Sequence, residues 1–159
     1  MIRQLGRDEL CEAARLIRLS FHTVADEFGF TEENAPRFTA FVVSEERLQR
    51  QYDEGRPMFG WFEDGEMVGF YSLAVLGNAR LELNNLAVHP QYRHRQIGRQ
   101  LVAHAVSEAT RLGCGSIEIG IVEENVRLRK WYEELGFIHT GTKKFDFFPF
   151  TCGYMEMHI

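Results

Sequence analysis

The nine residues RLELNNLAV, positions 80–88, cannot form one regular β-strand. Side chains of a strand alternate between its two faces, so apolar residues lining one face must share the same parity. Here Leu81 and Leu83 take odd positions, whereas Leu86 and Val88 take even ones. One extra residue at Asn84–Asn85, a β-bulge, restores a single apolar face. A bulge also splays the strand from its neighbour and frees backbone N–H and C=O groups for an extended ligand. The competing reading is two short strand pieces joined by an irregular polar step, with no ligand involved.

The surrounding patterns supply partners for this strand. MFGWFEDGEMVGFYSLAVL is two apolar runs around Asp64–Gly65, a hairpin signal because that turn needs positive φ at its central residues. Gly77–Asn78 then turns the chain into residues 80–88. Upstream, Leu10, Ala13, Ala14, Ile17 and Phe21 fall at helical spacing, with Asp8 as N-cap. A second, broken helical region is expected from about 31 to 52, with Pro36 in its first turn and Ser44 capping SEERLQRQY. Downstream come a helix ending at Gly113, the strand SIEIGIV, a helix NVRLRKWYEEL ending at Gly136, and two strands near 137–147 and 151–158. The order α-α-β-β-β-α-β-α-β-β predicts an α/β fold with a mixed central sheet flanked by helices.

A chain of 159 residues, 45% of them hydrophobic, suits a single domain over 1–159. No apolar run is long enough to span a bilayer, and the first residues lack the apolar stretch of a signal peptide. A cytoplasmic protein with no membrane partner is the expectation. Cys11, Cys114 and Cys152 lie far apart with no CxxC pair, which predicts free, mostly buried thiols. His89 and His94 have no convergent cysteines or acids nearby, so no metal is expected.

The segment HPQYRHRQIGRQLV, residues 89–102, places Arg93, Arg95 and Arg99 in a chain of formal net charge -5. That overall charge argues against nucleic acid as a partner, because such binding rests on an extended basic surface. A local basic cluster points instead to a small anionic ligand. A basic loop running into a helix offers backbone N–H groups and the positive end of the helix dipole, a common way to hold phosphates. The arginines add charge-assisted bonds to phosphate oxygens. Gly98 permits a close backbone approach. The plainer alternative is a solvated basic face, and the GxxxxGK[ST] pattern of a Walker loop is absent.

Together, LELNNLAVHPQYRHRQIGRQLVAHAV and NVRLRKWYEELGF resemble the GNAT superfamily of N-acetyltransferases. The resemblance rests on motifs over about residues 80–140 and on element order elsewhere. Arg93 and Gly98 match the first and last positions of the family's pyrophosphate loop, and Gln96 stands where the family usually has its first glycine. The resemblance implies a fold with a mostly antiparallel sheet and acetyl-CoA as co-substrate, held by the loop Arg93, His94, Arg95, Gln96, Ile97, Gly98 and Arg99. It also implies main-chain contacts from Leu86 and Val88 to the cofactor's pantetheine arm, and a side-chain bond from Asn125. Asn125 alone reads equally as a helix N-cap. Tyr132 aligns with the tyrosine that protonates the departing thiolate, and its plainer reading is a half-buried aromatic beside Trp131 and Phe137.

Acyl transfer to an amine requires the amine neutral, yet amines resembling lysine have a pKa near 10.4. A general base or water relay must remove the proton. Glu82, just before the bulge, is the candidate. A solvated or salt-bridged glutamate is the alternative. A backbone N–H of the bulged strand is expected to stabilise the developing oxyanion. The acceptor is a small-molecule or peptide amine. Asp26, Glu27, Glu32 and Glu33 would attract a cationic one if their segment borders the pocket. KFDFFPFTCGYM suits either an acceptor pocket or packing in the core or against a second copy in a homodimer. His104, at the edge of its helix's apolar face, reads as structural. The alternative function is an acyl-CoA-binding or scaffold protein of the same fold without turnover.

Overall fold

The computed structural model describes residues 1–159. Seven strands form one sheet in the order β1-β2-β3-β4-β5-β7-β6. They are β1 (Ile2–Gln4), β2 (Met58–Glu63), β3 (Glu66–Gly77), β4 (Arg80–Val88), β5 (Ser116–Val122), β6 (Ile138–Lys144) and β7 (Thr151–His158). Every neighbouring pair is antiparallel except β4 and β5. The helices are α1 (Leu10–Phe28), α2 (Thr39–Val42), α3 (Glu45–Asp53), α4 (Ile97–Arg111) and α5 (Val126–Glu134).

The bulge lies where the parity of apolar residues requires it. Ser72 pairs with Asn84 and Phe70 with Ala87, so β4 spends one more residue than β3 between these rungs, and Asn85 takes a left-handed φ of 55°. Leu81 and Leu83 before the bulge, and Leu86 and Val88 after it, all pack on the core beneath α4 and α5. Ala87 faces the other core, shared with α1 and α3. The hairpin between β2 and β3 turns at Asp64 and Gly65, both at positive φ. Between β3 and β4, Gly77 pairs with Arg80, so the turn residues are Asn78 and Ala79, one position later than expected.

Local expectations fail where the deciding contacts are distant. β1 exists only by pairing with β2, which its three residues do not announce. Asp8 does not cap α1; it sits in a 3₁₀ turn, Arg7–Glu9, ahead of the helix. Pro36 lies in a non-helical turn, and the helical region from 31 to 52 shrinks to α2 and α3. Ser44 does cap α3, its hydroxyl accepting from Arg47 N–H at 3.1 Å. All three cysteines are free, but Cys11 is exposed, Cys152 is half-buried and only Cys114 is buried. No helix is long and apolar enough to cross a membrane.

Candidate active site

The parallel pairing of β4 with β5 covers only Arg80–Ser116, Leu81–Ile117 and Glu82–Glu118. Beyond Glu82 the bulge carries β4 away, and residues 83–88 have no strand partner on their β5 side. The gap opens at the centre of a seven-stranded sheet, where unpaired backbone groups would otherwise be costly.

The basic loop ends beside this gap. His94 and Gln96 both adopt left-handed backbone, with φ of 64° and 66°. Gln96 occupies the N-cap of α4 without a side-chain capping bond. The first intrahelical bond runs from Gln100 N–H to Gln96 C=O at 3.1 Å, so the N–H groups of Ile97, Gly98 and Arg99 have no helical acceptor. Arg95, Gln96 and Arg99 are exposed, and the Arg95 guanidinium lies over the Tyr92 ring at 4.9 Å. This array of open donors and free guanidiniums suits phosphate oxygens.

Two loop residues face elsewhere than the sequence suggests. Arg93 turns its guanidinium onto α1, where one nitrogen donates to Ser20 C=O (3.2 Å), Ser20 Oγ (3.3 Å) and Thr23 Oγ1 (3.0 Å). Burial lowers its pKa from the usual arginine value. It ties the loop to α1, which no local pattern announces. Ile97 buries its side chain in the core, leaving its backbone N–H as the open group. At Gly98 the close neighbour is Trp131: an added Cβ would lie 3.2 Å from the indole.

On α5, Asn125 Oδ1 accepts from Leu128 N–H at 3.3 Å and so caps the helix. Its amide nitrogen makes no bond within the protein, yet no buried polar side-chain atom is unsatisfied, so that nitrogen is accessible. The same reasoning applies to Tyr132. Its ring is buried between Trp131 and Phe137, with centroids 4.9 and 5.3 Å away. Its hydroxyl has no partner in the protein and is the atom left open. Burial raises this phenol well above its ordinary pKa, so it is protonated at neutral pH.

Glu82 lies on the opposite face of the sheet. It alternates with Leu81 and Leu83, and it borders a cleft of about 250 Å³ beside α2 and α3. Register places Glu82, Glu118 and Glu156 side by side on three adjacent strands. Arg80 pairs with Glu118 at 2.9 Å, and His158 lies 3.5 Å from Glu156. Tyr154 shares this face; its phenol is raised chiefly by partial burial, then by Cys152 and Glu82.

The segment expected to supply acids contributes none to this cleft. Glu27 instead pairs with Arg127 of α5 at 2.5 Å, and Asp26, Glu32 and Glu33 are exposed. The cleft's charged walls are Arg37, Arg47 and Arg56. Of the aromatic stretch, Phe150 is core, tilted against Phe30 and stacked on Phe148, while Phe147 is exposed beneath Arg37. His104 is held by Tyr71, Oη to Nδ1 2.6 Å.

A family described as "Acetyltransferase (GNAT) family" matches residues 22–137. The [ribosomal protein bS18]-alanine N-acetyltransferase of Escherichia coli K12 is 30% identical over 118 residues, covering 74% of this chain and 78% of that protein. The fold is shared with the PaiA N-acetyltransferase of Thermoplasma acidophilum, solved with coenzyme A. That match has a TM-score of 0.84 at 21% identity, over 100% of this chain and 98% of the other. It is shared also with YncA of Salmonella typhimurium, a putative acetyltransferase solved with acetyl-CoA. There the TM-score is 0.76 at 19% identity, over 99% and 92% of the two chains.

Proposed function

The chain belongs to the Acetyltransferase (GNAT) family, and on that premise we propose that residues 1–159 act as one domain that moves acetyl from acetyl-CoA to a primary amine by direct attack. The observation that carries this reading is the gap in the sheet with an acid and a base on its opposite faces. Glu82 stands on the side of the α2–α3 cleft, and Tyr132 stands in the core beneath α4 and α5. An amine entering from the cleft therefore meets a base, while a thiol leaving towards the other face meets a proton donor.

The residues present fit the co-substrate. The N–H groups of Ile97, Gly98 and Arg99, with the exposed guanidiniums of Arg95 and Arg99, would hold its phosphates. His94 and Gln96 supply the backbone bend, and Arg93 contributes through the chain's path. Leu86 and Val88 would bond the pantetheine arm with main-chain groups that β5 leaves unpaired, and the open amide nitrogen of Asn125 would donate to a carbonyl of that arm. When bound, acetyl-CoA supplies an acyl group activated as a thioester. Glu82 takes the proton of the acceptor's ammonium, directly or through water. An unpaired N–H of β4 donates to the oxygen on which charge develops. Tyr132 gives its proton to the departing sulfur. A scaffold without turnover is not favoured, because it would have no use for an open phenol hydroxyl inside an otherwise apolar core. Cytoplasmic residence belongs to the same reading and is supported by three free thiols.

Melting of the purified protein with acetyl-CoA, dephospho-CoA and ATP tests the cofactor. Binding stabilises the folded state by about 2.7 kcal/mol at a hundredfold excess over Kd. Acetyl-CoA is expected to shift the midpoint more than ATP, and the absence of a shift at millimolar concentration would remove the reading. Tyr132→Phe should then lower kcat about 10²- to 10⁴-fold with the Kd for acetyl-CoA retained.

A further inference from the structure

We propose that the acceptor amine has a carboxylate close beside it in space, either the α-carboxylate of a free amino acid or the acidic side chains next to the N-terminus of a peptide. This deepens the acetyltransferase reading and rests on it. The cleft that Glu82 borders has ten lining residues, of which two, Val42 and Val43, are apolar. Against its one acidic lining residue, Glu82, it sets three arginines, Arg37, Arg47 and Arg56. These come from three separate places: the turn before α2, the body of α3 and the segment leading into β2. Their convergence is therefore a product of the fold and not of a local basic run.

The three arginines are poorly compensated. Arg56 pairs with Glu54 at 3.3 Å in a contact that is exposed on both sides. Arg37 rests on the face of Phe147, 4.2 Å from the ring centroid, and has no carboxylate partner. Arg47 is fixed through its backbone, whose N–H bonds to Ser44 Oγ, and its guanidinium makes no ion pair. A second shallow cleft continues the basic surface through Arg50. Arg37 and Arg47, without carboxylate partners, and Arg56, held only by an exposed pair, repel one another around one small polar cleft, and an anionic guest relieves that repulsion. Their planar fork matches a carboxylate in two parallel bonds.

The same geometry fixes the guest's orientation. Glu82 lines the cleft from β4, next to the gap in the sheet, with Glu118 and Glu156 beside it in register on the same face. A zwitterion thus places its ammonium at Glu82 and its carboxylate among the arginines, while a diamine meets three cations. The cleft's volume of about 250 Å³ lies just below the roughly 300–1,000 Å³ of ordinary ligand sites, which suits one or two residues of an acceptor.

The test compares kcat/KM, with saturating acetyl-CoA, for the amino acids with a primary α-amine, their α-carboxamides, the amidated tripeptides Ala-Glu-Glu and Ala-Lys-Lys, and putrescine. Carboxylate acceptors are expected to exceed their neutral or cationic counterparts by about 10- to 100-fold, the scale of one charge-assisted contact. Preference within the free amino acids or within the tripeptides tells which source the cleft serves. Arg47→Gln and Arg56→Gln should each pull the ratio towards one, and Arg47→Glu should shift it towards putrescine. Equal use of carboxylate and carboxamide, preference for putrescine, or a ratio unmoved in the variants overturns the proposal while leaving the acetyltransferase standing. If acetyl-CoA gives no melting shift, the broader reading fails instead. The cleft is then judged by NMR titration of the arginine side chains with L-glutamate against L-glutamine: saturable shifts with glutamate, lost in Arg47→Gln, support it, and no shifts overturn it.

Discussion

Gly98 of α4 faces Trp131 of α5, and a Cβ at position 98 would lie only 3.2 Å from the indole. Val88 approaches the same spot, 3.8 Å from the added Cβ, so the glycine joins the start of α4, the end of β4 and the middle of α5. Gly98→Val should destabilise the protein by about 1–3 kcal/mol, the range for overpacking a filled site. Chemical denaturation followed by tryptophan fluorescence checks it. Trp131→Leu should recover part of the loss if the clash is the cause.

Gln96 holds a left-handed backbone that costs an L-residue about 1–2 kcal/mol. Gln96→Gly removes that strain but adds freedom to the unfolded chain, worth about 0.4–1 kcal/mol in the other direction. A net gain near 1 kcal/mol or less is expected in urea denaturation, whereas Gln96→Val should destabilise.

Arg93 is a strut between the loop and α1. Arg93→Gln removes a donor shared by Ser20 and Thr23, in a setting where bonds to charged groups contribute about 1.5–3 kcal/mol. Because the guanidinium is only half-buried, the lower end of that range is expected. Hydrogen exchange of residues 93–99 should quicken more than that of the sheet.

Alkaline stability reports the burial of Tyr132. Its folded-state pKa is raised above the ordinary phenol value of 10. Above pH 10 the unfolded chain releases this proton while the folded protein keeps it. The contribution is therefore complete below pH 10 and is lost as pH rises from there towards the folded value. Between pH 10 and 11 the stability of the wild-type chain should fall by up to about 1.4 kcal/mol more than that of Tyr132→Phe. Parallel pH profiles of the two proteins would count against burial of the phenol.

How far the sequence could be read depended on whether the deciding contact was local. The bulge was legible because Leu81, Leu83, Leu86 and Val88 must share one face, and the hairpin because Asp64–Gly65 forces positive φ. Ser44 and Asn125 were readable as caps because their partners lie three residues on. Arg93 was legible as a loop arginine but not as a strut, since its partners are 73 and 70 residues away. The neighbour that Gly98 admits, Trp131, belongs to another helix. The arginine cleft had no linear signature at all, because Arg37, Arg47 and Arg56 are brought together by packing. Conversely, the acids at 26–33 form a conspicuous run, yet the fold spends Glu27 on Arg127 and leaves the other three exposed.

The three-rung pairing of β4 with β5 has a consequence for how the protein avoids its own kind. An open strand edge is normally an invitation to pair with another chain, and proteins guard such edges with charge, proline or closure. Here the edge lies inside the sheet, facing β5, with α4 and α5 packed over one face. On that face the helices stand between the edge and any strand of a second molecule. The chain thus keeps its row of unpaired backbone groups at the centre of the sheet rather than at a rim, where the strand of another molecule would find them.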